Sequence, residues 1–352
     1  MAKFSEVLTI INGKNQSKVE NPNGRYPIYG SGGIMGYADD YLCDAQTVVI
    51  GRKGSINKPI FVEEPFWNVD TAFGLAADRK VLHPKYLFYF CVHFDFEQLN
   101  TTVTIPSLTK ANLLNIEMPL PNLDVQQVIV DRLSKIDSLI ALRKEQLAKL
   151  DQLVKSRFIE LFGDIKEEDK LINLCNFIDY RGKTPEKAES GLPFITAKNV
   201  KMHHMSFDTQ EFISKETYDK VMTRGFPRIG DVVFTTEAPL GNVCRIPHIE
   251  TEFYIGQRII TMQTEQLEPA YLEYALSSDD FKRKIAEKSS GSTVTGIRSK
   301  LLEQLTIPVP HRAVQKQFAT FVEQTDKSKL TIQESLDKLE VMKKALMQEY
   351  FG

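Results

Sequence analysis

Few residues in this 352-residue chain have the types and spacing that chemistry requires. Gly182-Lys183-Thr184 matches the end of a phosphate-binding P-loop, but Phe177 stands where that loop needs its first glycine. The GSGG segment at residues 30–33 lacks the spacing of a strand-to-helix nucleotide loop. The pair His203-His204 has no partners at metal-ligand spacing. We therefore expect a non-catalytic protein with no cofactor and no metal.

The sequence instead offers loops that mix aromatic, amide, glycine and basic residues, a composition that reaches DNA base edges and phosphates. Plain turn chemistry explains each loop taken singly, because glycine and asparagine suit turns without any function. Taken together, the loops predict DNA contacts from both halves of the chain. In the first half the predicted contact residues are Tyr29, Ser31, Arg52, Lys53, Asn57, Lys58 and Asn68. In the second half they are Tyr180, Arg181, Lys183, Thr184, Lys198, Asn199, Thr236, Asn242 and Ser292.

An internal repeat indicates which elements hold these loops. Residues 113–163 reappear without a gap as residues 302–352, and fourteen of the 51 aligned positions are identical. A chain with two similar halves can place two similar surfaces about a pseudo-twofold axis, which suits a two-part target such as duplex DNA.

Each repeat predicts a long helix. From Val125 to Phe162 apolar residues recur at alternating steps of four and three, the pattern of a heptad stripe on a helix about 57 Å long. A Pro-x-Pro segment precedes each helix and sets an extended entry. Thr325, Lys329 and Lys343 interrupt the stripe of the second copy and weaken it. We predict that the two helices pair antiparallel within one chain; a coiled coil that serves dimerisation alone is the alternative.

The segments before each helix predict β-rich domains with one layout. β-Branched runs flank Gly-rich turns in GRKGSINKPIFV and in TTEAPLGNV, and HPKYLFYF and EPAYLEYAL then read as helices. The predicted fold class is α+β, a pseudo-twofold tandem repeat in which two β-rich domains are separated by two long helices that pair as an antiparallel coiled coil. The predicted boundaries are 1–124 for the first domain, 125–163 for the first helix, 164–312 for the second domain and 313–352 for the second helix.

Composition narrows the function classes. The formal net charge of −2 counts against a stand-alone nucleic-acid binder, since phosphate neutralisation usually shows as an excess of Lys and Arg. The four cysteines include no Cys-x-x-Cys pair, which favours a reducing compartment. No segment is typical of a secretion signal or a membrane span. We expect a cytoplasmic protein that binds no membrane.

Several of these segments carry a family resemblance that covers essentially the whole chain. The first half contains YPIYGSGGIMGYADDYL, GRKGSINKPIFV and FWNVDTAFG, and the second contains YRGKTP, GLPFITAKNV and GDVVFTTEAPLGNV. Together with the Pro-x-Pro lead into each long helix, they make the chain resemble the specificity (S) subunits of Type I restriction-modification systems, which serve in phage defence.

The resemblance implies a function for each part. Domains 1–124 and 164–312 would be target recognition domains that each read one half of a split, asymmetric sequence in double-stranded DNA, and the paired helices would set the gap. In this family the helices also dock two methyltransferase (M) subunits, which methylate adenine at N6 with S-adenosylmethionine, and motor-nuclease (R) subunits use ATP to translocate and cleave. The implied spacer and docking residues here are Gln126, Ile136, Leu147, Leu150, Phe162, Gln315, Leu336, Leu339 and Phe351.

The chain departs from the family at one point, because Val125-Gln126 and Val314-Gln315 stand where the family has Glu-Gln. The departure predicts a change in the detail of docking. The alternatives to a full complex are an orphan specificity subunit without cleavage partners and a non-catalytic coiled-coil adaptor that binds protein only. A nuclease is disfavoured because the sequence shows no acidic metal cluster.

Overall fold

The computed structural model of the protein describes residues 1–99, 107–180, 182, 184–256, 258–289 and 296–352. The chain divides into two compact units. Unit 1 comprises residues 1–145 and 332–352, and unit 2 comprises residues 146–331. Two 40-residue helices, α4 (Leu123–Phe162) and α10 (Arg312–Phe351), each contribute one part to each unit.

Unit 1 is built on two small sheets. A four-stranded antiparallel sheet has the order β2-β8-β5-β6, and a three-stranded sheet has the order β4-β3-β7 with β7 parallel to β3. The short strands β1 and β9 form a third, antiparallel pair. The elements are β1 (Ala2–Lys3), α1 (Phe4–Val7), β2 (Leu8–Asn12), β3 (Tyr26–Gly30), β4 (Gly33–Ala38), β5 (Thr47–Gly51), β6 (Ile60–Val62), β7 (Trp67–Asn68), β8 (Ala72–Ala77), α2 (Pro84–His93), a 3-10 turn (Phe96–Leu99), α3 (Lys110–Leu114) and β9 (Glu117–Met118).

The sequence explains where the core of unit 1 lies. Strand β5 reads TVVIG and is buried at every position, as a strand covered on both faces requires. Helix α2 packs Tyr86, Leu87 and Phe90 into the same core, which also receives Ile129 and Leu133 of α4. The first part of α4 is therefore part of the hydrophobic core of unit 1.

Unit 2 repeats this plan. Its four-stranded sheet has the order β11-β19-β16-β17, its three-stranded sheet has the order β15-β12-β18 with β18 parallel to β12, and β10 pairs with β20. The elements are β10 (Glu168–Lys170), α5 (Leu171–Leu174), β11 (Asn176–Asp179), β12 (Leu192–Ile195), β13 (Val200–Lys201), β14 (His204–Met205), β15 (Phe212–Ile213), α6 (Lys215–Val221), β16 (Val232–Thr236), β17 (Leu240–Arg245), β18 (Tyr254–Ile255), β19 (Ile259–Gln263), α7 (Pro269–Ser277), α8 (Asp279–Lys288), α9 (Ser299–Leu302) and β20 (Thr306–Pro308).

Strand order and direction match between the units, although their sequences diverge. Among the residues that the structure describes, the hairpin β13–β14 and the helices α6 and α8 occur in unit 2 alone. The predicted fold class, a tandem α+β repeat with paired long helices, is thus confirmed. The boundaries of the four predicted segments stay a prediction. Helix α4 begins at Leu123 rather than Val125, because Asn122 Oδ1 accepts a hydrogen bond from the Val125 amide at 3.0 Å and caps the first turn.

Within each unit the two helices run antiparallel. In unit 1 Arg132 Nη1 donates to the Tyr350 hydroxyl at 3.1 Å, and Lys343 pairs with Asp137 at 2.6 Å. In unit 2 Lys329 pairs with Asp151. Lys329 and Lys343, which the sequence marks as weak points of the stripe, therefore each meet a carboxylate on the facing helix.

Three findings bear on possible chemistry. In the described part of the chain, no helix is long and apolar enough to cross a membrane. Among the same residues, no group of three or more His, Cys, Asp or Glu side chains is arranged to hold a metal ion. All four cysteines are buried and free, and burial raises the pKa of Cys43 to about 12, so its thiol is protonated at neutral pH.

Candidate nucleic-acid interface

The predicted contact residues of unit 1 come from three parts of the chain that meet at one edge of its sheets. Strands β3 and β7 pair so that Tyr29 lies beside Asn68, and the Val69 amide donates to Tyr29 O at 3.0 Å. The turn after β3 also approaches the end of β5, since a Cβ placed on Gly51 would lie 2.9 Å from Ser31 Cβ. The sheet topology thus brings together residues that are far apart in the sequence.

Three cations of this edge are exposed. Arg52, Lys53 and Lys58 form no ion pair with any residue that the structure describes. The Arg52 guanidinium lies 5.7 Å from the centre of the Phe73 ring, which orients the start of the loop. Charges in this state are available to phosphate groups.

The two predicted asparagines of unit 1 hold the loops in place. Asn57 Nδ2 donates to Asp95 at 2.7 Å, its Oδ1 accepts from the Phe96 amide at 2.7 Å, and its hydrogen bond holds the pKa of Asp95 below the usual value. Asn68 is fully buried and donates to Ala72 O at 3.1 Å. Tyr29 and Ser31 are half-buried at the same edge. Burial raises the pKa of Tyr29, and Glu64 contributes, so the phenol stays a neutral hydrogen-bonding group.

In unit 2 the predicted loops also meet. Asn242 of β17 is half-buried, and its Nδ2 donates to Val200 O at 2.9 Å, which ties β17 to the first residue of β13, next to the predicted Asn199. The Thr236 amide at the end of β16 donates to Arg258 O, beyond β18, at 2.9 Å. Glu237 of the turn between β16 and β17 pairs with Gly296 in an isolated bridge, as Lys53 pairs with Ser107 in unit 1. The two units therefore place their sheet-edge turns against corresponding stretches of chain.

Several predicted contact residues of unit 2 are buried and support the loops. Tyr180 donates to Gly225 O at 2.5 Å, and Thr236 donates to Arg258 O at 3.2 Å. Asn199 Oδ1 accepts from the Thr196 amide at 2.9 Å, and its amide nitrogen donates to Thr209 O at 2.7 Å. These three side chains are at most 4% exposed.

Of the five remaining predicted contact residues of unit 2, the structure describes two. Lys198 and Thr184 are exposed. Lys198 lies 3.9 Å from Glu211, a loose pair that leaves most of its ammonium group in solvent. Arg181, Lys183 and Ser292 lie outside the described residues. The DNA contacts of both units stay predictions.

The two glutamines near the start of the long helices are buried, and their hydrogen bonds hold each helix start against its own unit. Gln126 accepts from the His83 amide at 2.8 Å and donates to Val81 O and Pro121 O at 2.9 and 2.7 Å. Gln315 accepts from the Glu268 amide at 2.9 Å and donates to Pro310 O at 2.8 Å. Sequence reasoning placed both residues on a docking surface, but each is at most 1% exposed and faces its own unit.

The phenylalanine that ends each long helix is also buried. Phe351 packs on Tyr86 with ring centres 5.1 Å apart, and Phe162 packs on Tyr271 at 4.7 Å. Both tyrosines donate to a Pro-x-Pro carbonyl: Tyr86 to Pro119 O at 3.1 Å and Tyr271 to Pro308 O at 2.6 Å. Each unit is thus closed by the start of one long helix and the end of the other.

The other predicted spacer residues lie on the helices at different depths. Ile136 and Leu336 are buried, whereas Leu147, Leu150 and Leu339 are half-buried. Sequence reasoning missed a second set of apolar side chains on α4, which are at least 37% exposed. They are Leu123, Val125, Val128, Leu139, Leu142, Leu153 and Ile159. Their spacing was visible in the sequence, but periodicity alone does not say which stripe faces a neighbour.

Comparisons with known proteins agree with this architecture. The family model described as the Type I restriction modification DNA specificity domain matches residues 1–152 and 166–341. The Type I restriction enzyme MjaVIII specificity subunit of Methanocaldococcus jannaschii is 24% identical over 335 residues, which cover 86% of this chain and 75% of that protein. The putative MjaX specificity subunit of the same organism is 24% identical over 307 residues, 78% of this chain and 68% of that protein.

A solved structure has the same fold. The S subunit of a Type I restriction-modification system from M. genitalium superposes with a TM-score of 0.65 at 17% identity, covering 100% of this chain and 95% of that one. At this level of identity the superposition speaks for the fold alone.

Proposed function

The chain belongs to the family of the Type I restriction modification DNA specificity domain, and from that membership we propose that it reads a bipartite, asymmetric DNA sequence for a Type I restriction-modification complex. The observation that carries the proposal is the repeated cluster of loops. Each unit gathers the turn beyond its four-stranded sheet and the loops of its three-stranded sheet at one edge. Two such edges with different side chains suit two different half-sites.

In this proposal the chain has no catalytic role and no cofactor of its own. Two M subunits would supply adenine N6 methylation with S-adenosylmethionine, and R subunits would supply ATP-driven translocation and cleavage in the cytoplasm. The formal net charge of −2 fits such a division of labour, because M subunits that close around the duplex would add positive charge that this chain lacks.

We further infer that M subunits dock on exposed apolar residues of α4 rather than on the buried glutamines. Val128, Leu139 and Leu142 are separated by eleven and three residues, so they lie on one helix face. They are 37–54% exposed, more than the paired stripe leaves open elsewhere. Exposed aliphatic surface of this kind is typical of protein interfaces.

The test is to co-express the chain with the methyltransferase subunit of the same host and to map N6-methyladenine in the host DNA by long-read sequencing. We expect methylation at one split motif, lost when this chain is omitted. The double variant Lys53→Ala, Lys58→Ala should reduce methylation at least about tenfold through lost phosphate contacts, whereas Lys338→Ala on the exposed face of α10 should not. A stable complex without any methylated motif would instead support a protein-binding adaptor or an orphan subunit.

A further inference from the structure

The hairpin β3–β4 of unit 1 presents two neighbouring apolar side chains to solvent. Ile34 is 55% exposed and Met35 is 63% exposed. Neighbouring residues of a regular strand point to opposite faces. Here the register shifts, since Tyr29 pairs with Ile34 and Ile28 pairs with Gly36, which makes Met35 an extra residue in a β-bulge. A bulge re-aims side chains and often lies beside a functional site.

The bulge is held in a defined shape. Gly33 has a φ of +116°, a backbone conformation that favours glycine, so the turn before Ile34 is tight. A Cβ placed on Gly30 would lie 2.5 Å from Met35 Sδ, so the absence of a side chain at Gly30 lets the methionine lie across β3. Met35 is therefore positioned by its own hairpin while most of its surface stays open to a ligand.

The surroundings of the hairpin tip favour a nucleic acid over a protein. Ser31, in the turn, packs beside Gly51, where the loop with Arg52, Lys53 and Lys58 begins. These three cations are exposed and form no ion pair within the described ranges of the chain. An apolar tip beside unpaired positive charge matches a base edge beside phosphates.

Unit 2 lacks this feature at the corresponding strand. Its counterpart of β4 is β15, in which Phe212 lies opposite Pro193 as Tyr37 lies opposite Pro27. The place of Ile34 and Met35 therefore falls just before Phe212, where unit 2 has the polar residues Thr209, Gln210 and Glu211. The pair Ile34 and Met35 therefore belongs to the part of the fold that distinguishes one unit from the other.

We propose that Ile34 and Met35 make an apolar contact with the bases of the half-site read by unit 1 and help to determine its sequence. The inference rests on the proposed DNA-reading function. The contact is with a thymine methyl group in the major groove or with the face of a base at an opened step, and both call for an apolar side chain bordered by cations.

The test uses the complex of the full chain with its M subunits and a duplex carrying the mapped motif. Ile34→Ser and Met35→Ser should each weaken binding of this duplex about tenfold, the usual size of one lost base contact, and leave binding of a random duplex unchanged. Val92→Ser is the control, because Val92 is 41% exposed on α2, outside the loop cluster. It should change binding less than about twofold.

Two substituted duplexes separate the two forms of contact. Uracil in place of thymine removes the methyl group, and wild type but not the serine variants should lose affinity if that group is contacted. 2-Aminopurine in the half-site reports an opened step by a rise in fluorescence that the variants lack. Variants that bind and discriminate like wild type would overturn the inference, as would variants that fail only in assembly with M. A wild-type complex without any sequence preference would instead overturn the proposed function.

Discussion

We call the contact region between each β-rich domain and its long helices a joint. The joints of the two units share one set of contacts and differ in another. Both joints use a buried glutamine at a helix start, a tyrosine hydroxyl on the Pro-x-Pro carbonyl, and a phenylalanine at a helix end. Because these contacts recur in both halves although the domains diverge, they define what the repeat must preserve to keep each domain on its helices.

The difference is a buried charge cluster that only unit 2 shows among the described residues. Glu273 is 1% exposed, accepts from Arg245 Nε at 2.6 Å and lies 2.9 Å from His203 Nδ1. Arg245 continues to Asp326 of α10 at 2.9 Å. Burial disfavours the charge of Arg245, but Glu273 and Asp326 outweigh it and hold its pKa above the ordinary value.

Unit 1 has fewer charged residues at the positions that correspond to this cluster. Aligning Tyr86 with Tyr271 puts Phe88 opposite Glu273, and the repeat puts Asp137 opposite Asp326. Asp137 accepts from the Tyr89 hydroxyl at 2.9 Å and pairs with Lys343. The helix ends thus keep the same aromatic and glutamine contacts in both units, whereas the contact further along each helix, at Asp137 of α4 and at Asp326 of α10, differs with the domain that it supports.

The largest effect is expected from removing the phenylalanine that both joints share. Phe162→Ala should destabilise unit 2, and Phe351→Ala should destabilise unit 1, each by about 4 kcal/mol, the usual cost of removing a buried aromatic side chain. Amide hydrogen exchange measured separately for the two units checks this prediction. If one variant lost protection equally in both units, the phenylalanine contact would stabilise the whole chain rather than its own unit.

A somewhat smaller effect sharpens the difference between the joints. Glu273→Gln should destabilise unit 2 by about 3 kcal/mol, because it leaves the Arg245 guanidinium without its buried partner. Asp137→Asn is the matched change in unit 1 and should cost about 1 kcal/mol, since this carboxylate is half-buried and the amide keeps the Tyr89 hydrogen bond. Hydrogen exchange of the two units in each variant gives both values. Equal losses from the two variants would contradict the distinction between the joints.

The helices and their pairing could be predicted from the sequence, because heptad spacing and the 189-residue repeat are local and periodic signals. The sheets could be predicted only in outline, since the parallel pairing of β3 with β7 joins segments that no sequence pattern connects. The loops could be located from their composition. Which asparagine supports a loop and which lysine faces solvent depends on tertiary neighbours, as Asn57 and Lys58 show side by side.

The smallest effect is expected from replacing the repeated glutamine, which tests whether it stabilises its own unit or docks the M subunit. Gln126→Ala and Gln315→Ala should each destabilise their unit by about 2 kcal/mol, because each leaves a buried backbone amide and a proline carbonyl without a partner. Gln127→Ala is the control, since Gln127 is exposed and donates only to Asp131 at 2.8 Å, and it should change the free energy of unfolding by less than about 0.5 kcal/mol. Urea unfolding gives these values, and analytical ultracentrifugation with the M subunit gives assembly. If the glutamines were docking residues, the variants would keep the wild-type free energy of unfolding but fail to assemble with the M subunit. Because both amide side chains face inward, we expect the variants to lose free energy of unfolding and still to assemble with the M subunit while they are folded.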